Sequence, residues 1–182
     1  MSHLPQSLFD SSKEFFNSGN NRYMQSSGVV SVVDALPSEF YDLLLNALQM
    51  DRLACRGLDK IGIHSEEERV LKYFDCNYSA YDGHSDVTTS GALGPREFVT
   101  CANRGGCKAE GLLCQFPGRL TKRQFEVAHR IALGQMDAQI CIELSIAQDT
   151  LRNHKKTIEL KTSSAGKVAI GVWAAMNKVL AK

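Results

Sequence analysis

Residues 120–162 read LTKRQFEVAHRIALGQMDAQICIELSIAQDTLRNHKKTIELKT, and the spacing of their apolar residues decides the fold of the C-terminal third of the chain. Thr121 stands where a side-chain hydroxyl accepts a backbone N–H at a helix start, and Phe125, Ala128, Ile131 and Ala132 then recur at helical spacing. Gly134 follows the last apolar residue, the position of a left-handed C-terminal cap. Asp137 is placed to cap a second helix that carries Ile140, Cys141 and Leu144 inward, and a tight turn at Ser145 and Ile146 follows. A third helix is predicted from about Gln148 to Leu160. It buries Leu151, Ile158 and His154 on one side and carries Arg152, Asn153, Lys155 and Lys156 on the other. Two short helices in this order, the second polar and basic outward, make a helix-turn-helix whose second member fits a DNA major groove.

The residues Leu120, Thr121, Arg123, Glu126, Val127, Ile131, Ala132, Gly134, Ile140, Leu144, Ile146, Thr150, His154 and Ile158 fall at the characteristic positions of one family. With them, residues 119–182 resemble the C-terminal head of the LuxR/FixJ type of transcription regulators. Departures are Gln124 for the usual Glu, Cys141 for Ala, Ala147 for the Ser that caps the recognition helix, and the end at Glu159 to Thr162. Loss of the Ser cap costs about 1 kcal/mol of helix stability, partly offset if Asp149 in the first turn favours the helix dipole. The resemblance implies that Arg152, Asn153 and Lys156 reach base edges, where Arg forks onto guanine and Asn pairs with adenine. It implies that Thr150, His154 and Lys155 position phosphates or the helix itself, with Lys122 and Arg123 as further phosphate contacts.

A fourth helix is expected from about Ser164 to Ala181, with Val168, Val172, Met176, Val179 and Leu180 on one stripe and Lys167, Asn177 and Lys178 off it. Val168 and Val172 are expected to close the core of the head. Met176 and Leu180 extend beyond that need, and the resemblance implies a homodimer through this helix on inverted half-sites.

Working outward, the charge is divided unevenly. Residues 1–118 hold ten Lys/Arg against fifteen Asp/Glu, and residues 119–182 hold eleven against five, so a net charge of +1 conceals an acidic and a basic part. A basic head gains affinity for a duplex by releasing counterions from phosphates. The length of 182 residues and 43% hydrophobic content allow one larger or two small domains, read here as 1–118 and 119–182. No apolar run is long enough for a bilayer, and MSHLPQSLFDSSKEFF lacks the order of a signal peptide. A cytoplasmic protein without a membrane partner is expected.

Upstream, a short helix is predicted around Leu8 to Phe16, and GVVSVV at 28–33 is a strand or a packed connector. Pro37 followed by Phe40, Leu43, Leu44, Leu45 and Leu48 predicts a helix to about Leu53, its leucine stripe serving as core or as a protein-docking face. Ser65 with Glu66, Glu67 and Glu68 caps another that reaches Phe74. Residues 76–118 then turn glycine-rich and aperiodic, with Cys76, Cys101, Cys107 and Cys114 among them. In a reducing compartment such a cluster favours a metal over disulfides, and four thiolates complete a tetrahedral structural zinc site at 76–114. An iron–sulfur cluster or unmetallated redox-active thiols are the alternatives, and His84 is a possible substitute ligand. Cys55 and Cys141 are read as packed thiols. This stretch also resembles cysteine-rich modules that precede LuxR-like heads.

Asp75, Asp82 and Asp86 beside His84 would permit a divalent-metal or hydrolytic reading, but acidic residues in glycine-rich loops mostly cap turns. The chain contains no phosphate-binding glycine loop, GxSxG or HExxH. The strand–helix alternation of a phosphoacceptor domain cannot be placed in residues 1–118, and an aromatic-rich acyl-lactone pocket is absent too. The expectation is a mostly α protein: a helical, cysteine-stapled N-terminal region followed by a four-helix DNA-binding head, acting as a non-enzymatic, sequence-specific regulator on double-stranded DNA. The rival is a metal- or redox-responsive interaction protein, a sensor or anti-repressor, that uses the same head for protein contacts.

Overall fold

A computed structural model of the chain describes residues 4–177 and 179–180, and these divide into two compact units at Gln115 and Phe116. The first unit opens with a short turn of 3-10 helix at Gln6–Leu8 and an antiparallel meander: β1 (Glu14–Ser18), β2 (Asn21–Ser26) and β3 (Val29–Val32), in that spatial order. The helix predicted over Leu8 to Phe16 does not form: β1 takes its last three residues, and the residues between Leu8 and β1 are turn, bend and bridge. Phe15 and Phe16 instead alternate across a strand. Phe15 is buried and stacks on Phe40 with ring centroids 4.1 Å apart, whereas Phe16 faces Tyr23 at 5.3 Å and Tyr81 at 4.8 Å. The second hairpin turns through Ser27 (φ 50°) and Gly28 (φ 74°), the two successive positive φ angles that match strand twist. GVVSVV therefore becomes an edge strand.

Three helices follow: α1 (Ser38–Met50), α2 (Arg52–Lys60) and α3 (Glu66–Asn77). The helix predicted to run to Leu53 breaks at Asp51, whose non-helical backbone (φ −94°, ψ 86°) lets its carboxylate accept the N–H groups of Leu53 (3.1 Å) and Ala54 (2.9 Å). Ser65 caps α3 as its sequence predicts, its hydroxyl accepting the Glu68 N–H at 3.3 Å. Phe40, Leu44 and Leu48 of α1 pack with Ala54 and Leu58 of α2 and Val70, Tyr73 and Phe74 of α3, so the leucine stripe is core. Each large side chain buried there contributes roughly 1.5–3 kcal/mol.

Residues 78–115 contain no helix, and packed apolar and hydrogen-bonded groups hold them. Val87, Ala109 and Leu113 enter the same core. A polar hub does the rest. Asn77, fully buried at the end of α3, donates to the carbonyls of Tyr73 (2.9 Å) and Leu113 (3.0 Å). Arg96 donates to Asn77 Oδ1 (2.8 Å) and to the Leu113 carbonyl (2.6 Å), and it pairs with Asp51. Charged hydrogen bonds in so sheltered a position join the cap of α2, the end of α3 and the irregular segment.

The second unit contains α4 (Lys122–Ala132), α5 (Asp137–Leu144), α6 (Gln148–Thr162) and α7 (Gly166–Met176). Thr121 and Gln124 form a reciprocal capping box, with Gln124 N–H on the Thr121 hydroxyl at 3.3 Å and Thr121 N–H on Gln124 Oε1 at 3.0 Å. Gln124 thus fills the role of the family's usual Glu. Gly134 has φ 78° and ends α4, and the α5–α6 turn uses Ser145 in the left-handed region. Phe125, Val127, Ile131, Ile140, Leu151 and Ile158 fill the core.

On α7 the expected inward face is wrong. Val168, 82% exposed, and Val172 lie outside, whereas Ile170, Ala174 and Val179 close the core. The helix stops at Met176, short of the predicted end, and Lys178 and Ala181 lie outside the described residues. Trp173 is half-buried and covers the turn before α4: a Cβ on Gly118 (φ 63°) would stand 2.7 Å from its ring, so only glycine fits there.

Candidate nucleic-acid interface

α6 is the second member of the helix-turn-helix, packed on α4 and α5 through Leu151 and Ile158, and that packing fixes which residues face out. Thr150, Arg152, Asn153 and Lys156 are exposed along its outer side. Arg152 bonds Asp149 one turn back at 2.7 Å, with both side chains exposed; such a pair is worth little and leaves the guanidinium available. Asn153 spends only its main-chain carbonyl, on the Thr157 hydroxyl at 2.9 Å. His154, expected on the inner side, is half-buried at the edge of the helix. Ala147 starts α6 with no side-chain cap, as its sequence implies.

Lys155 differs from its neighbours. Its ammonium is directed back to Asp137 at 2.5 Å, and Lys167 of α7 reaches the other oxygen of the same carboxylate at 2.9 Å. Asp137 is the first residue of α5 and not its cap; Met136 holds the cap position, with its N–H bonded to Gln139 Oε1 at 2.8 Å. The hydrogen bonds from Lys155 and then Lys167 hold the Asp137 carboxyl below the usual carboxylate range. This three-way tie between α5, α6 and α7 has no signature in the sequence, because 18 residues separate Asp137 from Lys155. A second tie was equally hidden: Lys161 at the end of α6 donates to the Arg119 carbonyl (2.8 Å) and to Gln124 Oε1 (2.9 Å). At the start of α4, Lys122 and Arg123 are exposed, and Arg123 bonds Glu126 at 2.8 Å.

The cysteines lie in the first unit, and all six are free thiols. Cys76, on α3, is pushed up to about 12 by burial first, with Lys72 opposing and the neighbouring Cys114 and Cys101 adding to the rise. Three of the four predicted ligands are therefore electrostatic neighbours. Cys101 Sγ accepts the N–H of Asn103 at 3.4 Å, and Cys107 packs against the core. The four sulfur atoms are not drawn into a ligand cage: among the described residues, no three of them come within 4.8 Å of one another. His84 instead bonds Asp82 (3.2 Å). Cys55 donates to the Leu48 carbonyl at 3.3 Å, and Cys141 is half-buried on α5.

Among the described residues, no helix is long and apolar enough to cross a membrane. Residues 118–174 match the model of the bacterial regulatory proteins of the luxR family, a span that takes in α4, α5, α6 and most of α7. No curated protein and no solved structure matches the chain.

Proposed function

We propose that this chain, whose residues 118–174 form a LuxR-type helix-turn-helix domain, is a sequence-specific regulator of transcription that acts by binding double-stranded DNA rather than by catalysis. The observation that carries the reading is the outer side of α6, where Arg152, Asn153 and Lys156 stand exposed on a helix braced from behind by Leu151, Ile158 and the Lys155–Asp137 pair. Arg152 and Asn153 supply the forked donor and the amide that discriminate guanine and adenine in the major groove, and Lys156 adds a further donor. Thr150, Lys122 and Arg123 border this side with groups suited to phosphate, and His154 serves as a backbone contact or a packing group. Lys155 acts by positioning α6. The test is titration of the full chain against random and selected duplexes at several salt concentrations. The reading expects affinity that falls steeply with salt and a preferred sequence. Salt-insensitive binding, or capture of protein but not of DNA, favours the interaction-protein alternative.

The exposed stripe Val168, Val172 and Met176 on α7 supports a homodimer on inverted half-sites, formed by a surface that the core of the head leaves free. In the first unit, zinc is the metal that suits Cys76, Cys101, Cys107 and Cys114. Cys101 and Cys114 both lie near enough to Cys76 to act on its thiol, and an N–H is donated to Cys101; a bound ion would draw the sulfur atoms closer together and replace the proton that burial keeps on Cys76. Zinc there would tie α3 to residues 101–114 and supply stability, not chemistry.

A further inference from the structure

We infer that Glu14, Asp82 and Glu97, with Asp86 beside them, bind a hard divalent cation of the calcium type in the first unit, at a place separate from the cysteines. β1 supplies Glu14, the loop after α3 supplies Asp82 and Asp86, and Glu97 arrives from the irregular segment beyond. One carboxylate oxygen from each of Glu14, Asp82 and Glu97 lies within 4.8 Å of the others. That span is what oxygen ligands across one calcium ion require, at about 2.3–2.6 Å from the metal.

Proximity of acidic groups is not sufficient, and a second observation points to a ligand. Glu14, Asp86 and Glu97 are 0%, 1% and 5% exposed, yet each has an oxygen with no donor: Glu14 Oε2, Asp86 Oδ1 and Glu97 Oε1. Their other oxygens are already used by backbone N–H groups. Glu14 Oε1 takes Asp82 (3.1 Å) and Gly83 (3.4 Å), Asp86 Oδ2 takes Phe15 (2.6 Å), and Glu97 Oε2 takes Ala80 (3.0 Å). Each carboxylate is thereby oriented, with one lone-pair side unused. Asp86 and Glu97 also lean on each other, and two carboxylates are both acceptors, so only a proton or a cation can join them.

The charge is uncompensated as well. Among the described residues no lysine or arginine pairs with Glu14, Asp86 or Glu97. The nearest basic residues in sequence are committed elsewhere, Lys13 to Glu39 at 3.8 Å and Arg96 to Asp51. His84 is held on Asp82. Without a cation the cluster must take up protons. Burial first, and then repulsion from Asp86 and Asp82, raises Glu97 to about 11, and burial raises Glu14 to about 7. A divalent cation supplies the missing positive charge and joins three segments that otherwise meet through acceptors alone. The site comes ready formed, because the Lys13 and Val87 backbones exchange hydrogen bonds at 2.8 and 3.0 Å and Ser12 bonds Ser85 at 2.7 Å.

The test uses the full chain in metal-depleted buffer at neutral pH, titrated with calcium chloride by calorimetry and by thermal melting. One calcium per chain and a higher melting temperature are expected. Asp82→Asn and Glu97→Gln should each weaken binding by at least about tenfold, the first being a partly exposed ligand whose replacement leaves the unit folded. Cys101→Ser should still bind calcium, since thiols are poor ligands for it. A wild-type chain that takes up no calcium, magnesium or manganese at millimolar concentration overturns the assignment and leaves a proton-sharing cluster. So does undiminished calcium uptake by both carboxylate variants.

Discussion

The Lys155 ammonium lies 2.5 Å from the Asp137 carboxylate, joining the middle of α6 to the first residue of the helix before it. A lysine that looks like one of four basic or polar groups on an outer helical face is therefore part of the scaffold. Lys155→Ala should lower the stability of the head by about 1 kcal/mol, with Lys167 retaining part of the tie. Asp137→Asn should do the same. The carboxyl of Asp137 has a lowered pKa in the fold, so the tie is fully present above the ordinary carboxylate value and is lost as pH falls through the folded value. Chemical denaturation from neutral to acid pH should show the wild-type advantage over Asp137→Asn disappearing at the acid end.

Arg152→Ala and Asn153→Ala should each cost on the order of 1–3 kcal/mol on a selected duplex and relax preference at the base contacted, while melting like wild type. Quantitative binding to a panel of single-base variants of the site reads this directly. Equal and modest losses on every duplex would mean that α6 does not read sequence.

Met176 is 75% exposed at the end of α7, on the stripe that Val168 and Val172 begin. Met176→Glu should abolish cooperative binding to a palindromic site and leave half-site affinity and folding nearly unchanged, because the side chain contributes little to its own core. Cooperativity on paired and single half-sites is the measurement. Cooperative binding that survives places the dimer contact elsewhere.

The purified chain is expected to carry about one zinc ion, and Cys101→Ser or Cys107→Ser should release it and loosen residues 76–114. Elemental analysis together with hydrogen exchange checks both halves of this statement. Full protection of that segment in reduced, metal-free protein would mean that Asn77, Arg96 and Leu113 suffice to hold it. A brown chromophore would point to iron and sulfur.

The head was legible because its helices announce themselves locally: Thr121 and Gln124 are three residues apart, and Gly134 directly follows the apolar run it ends. What stayed hidden was long-range. β2, with the sequence NRYMQS, has no alternating pattern because only Gln25 is buried on it, and Phe15 declares itself as a strand residue only once Phe40 is there to stack on. The stripe on α7 was found but turned the wrong way, since Val168 and Ile170 are equally apolar and only the packing of α4 decides between them. Glu14 and Glu97 stand 83 positions apart with no local pattern to connect them, and only the path of the chain brings them together.

Trp173, set over Gly118, also gives the molecule a spectroscopic partition. It is the single tryptophan, and it belongs to the second unit, whereas all five tyrosines, Tyr23, Tyr41, Tyr73, Tyr78 and Tyr81, belong to the first. Light absorbed at the red edge of the aromatic band excites the indole alone, so its emission follows the head without interference. Any event that alters the surroundings of Trp173 can thus be followed by red-edge excitation as a signal of the head alone, with no label introduced.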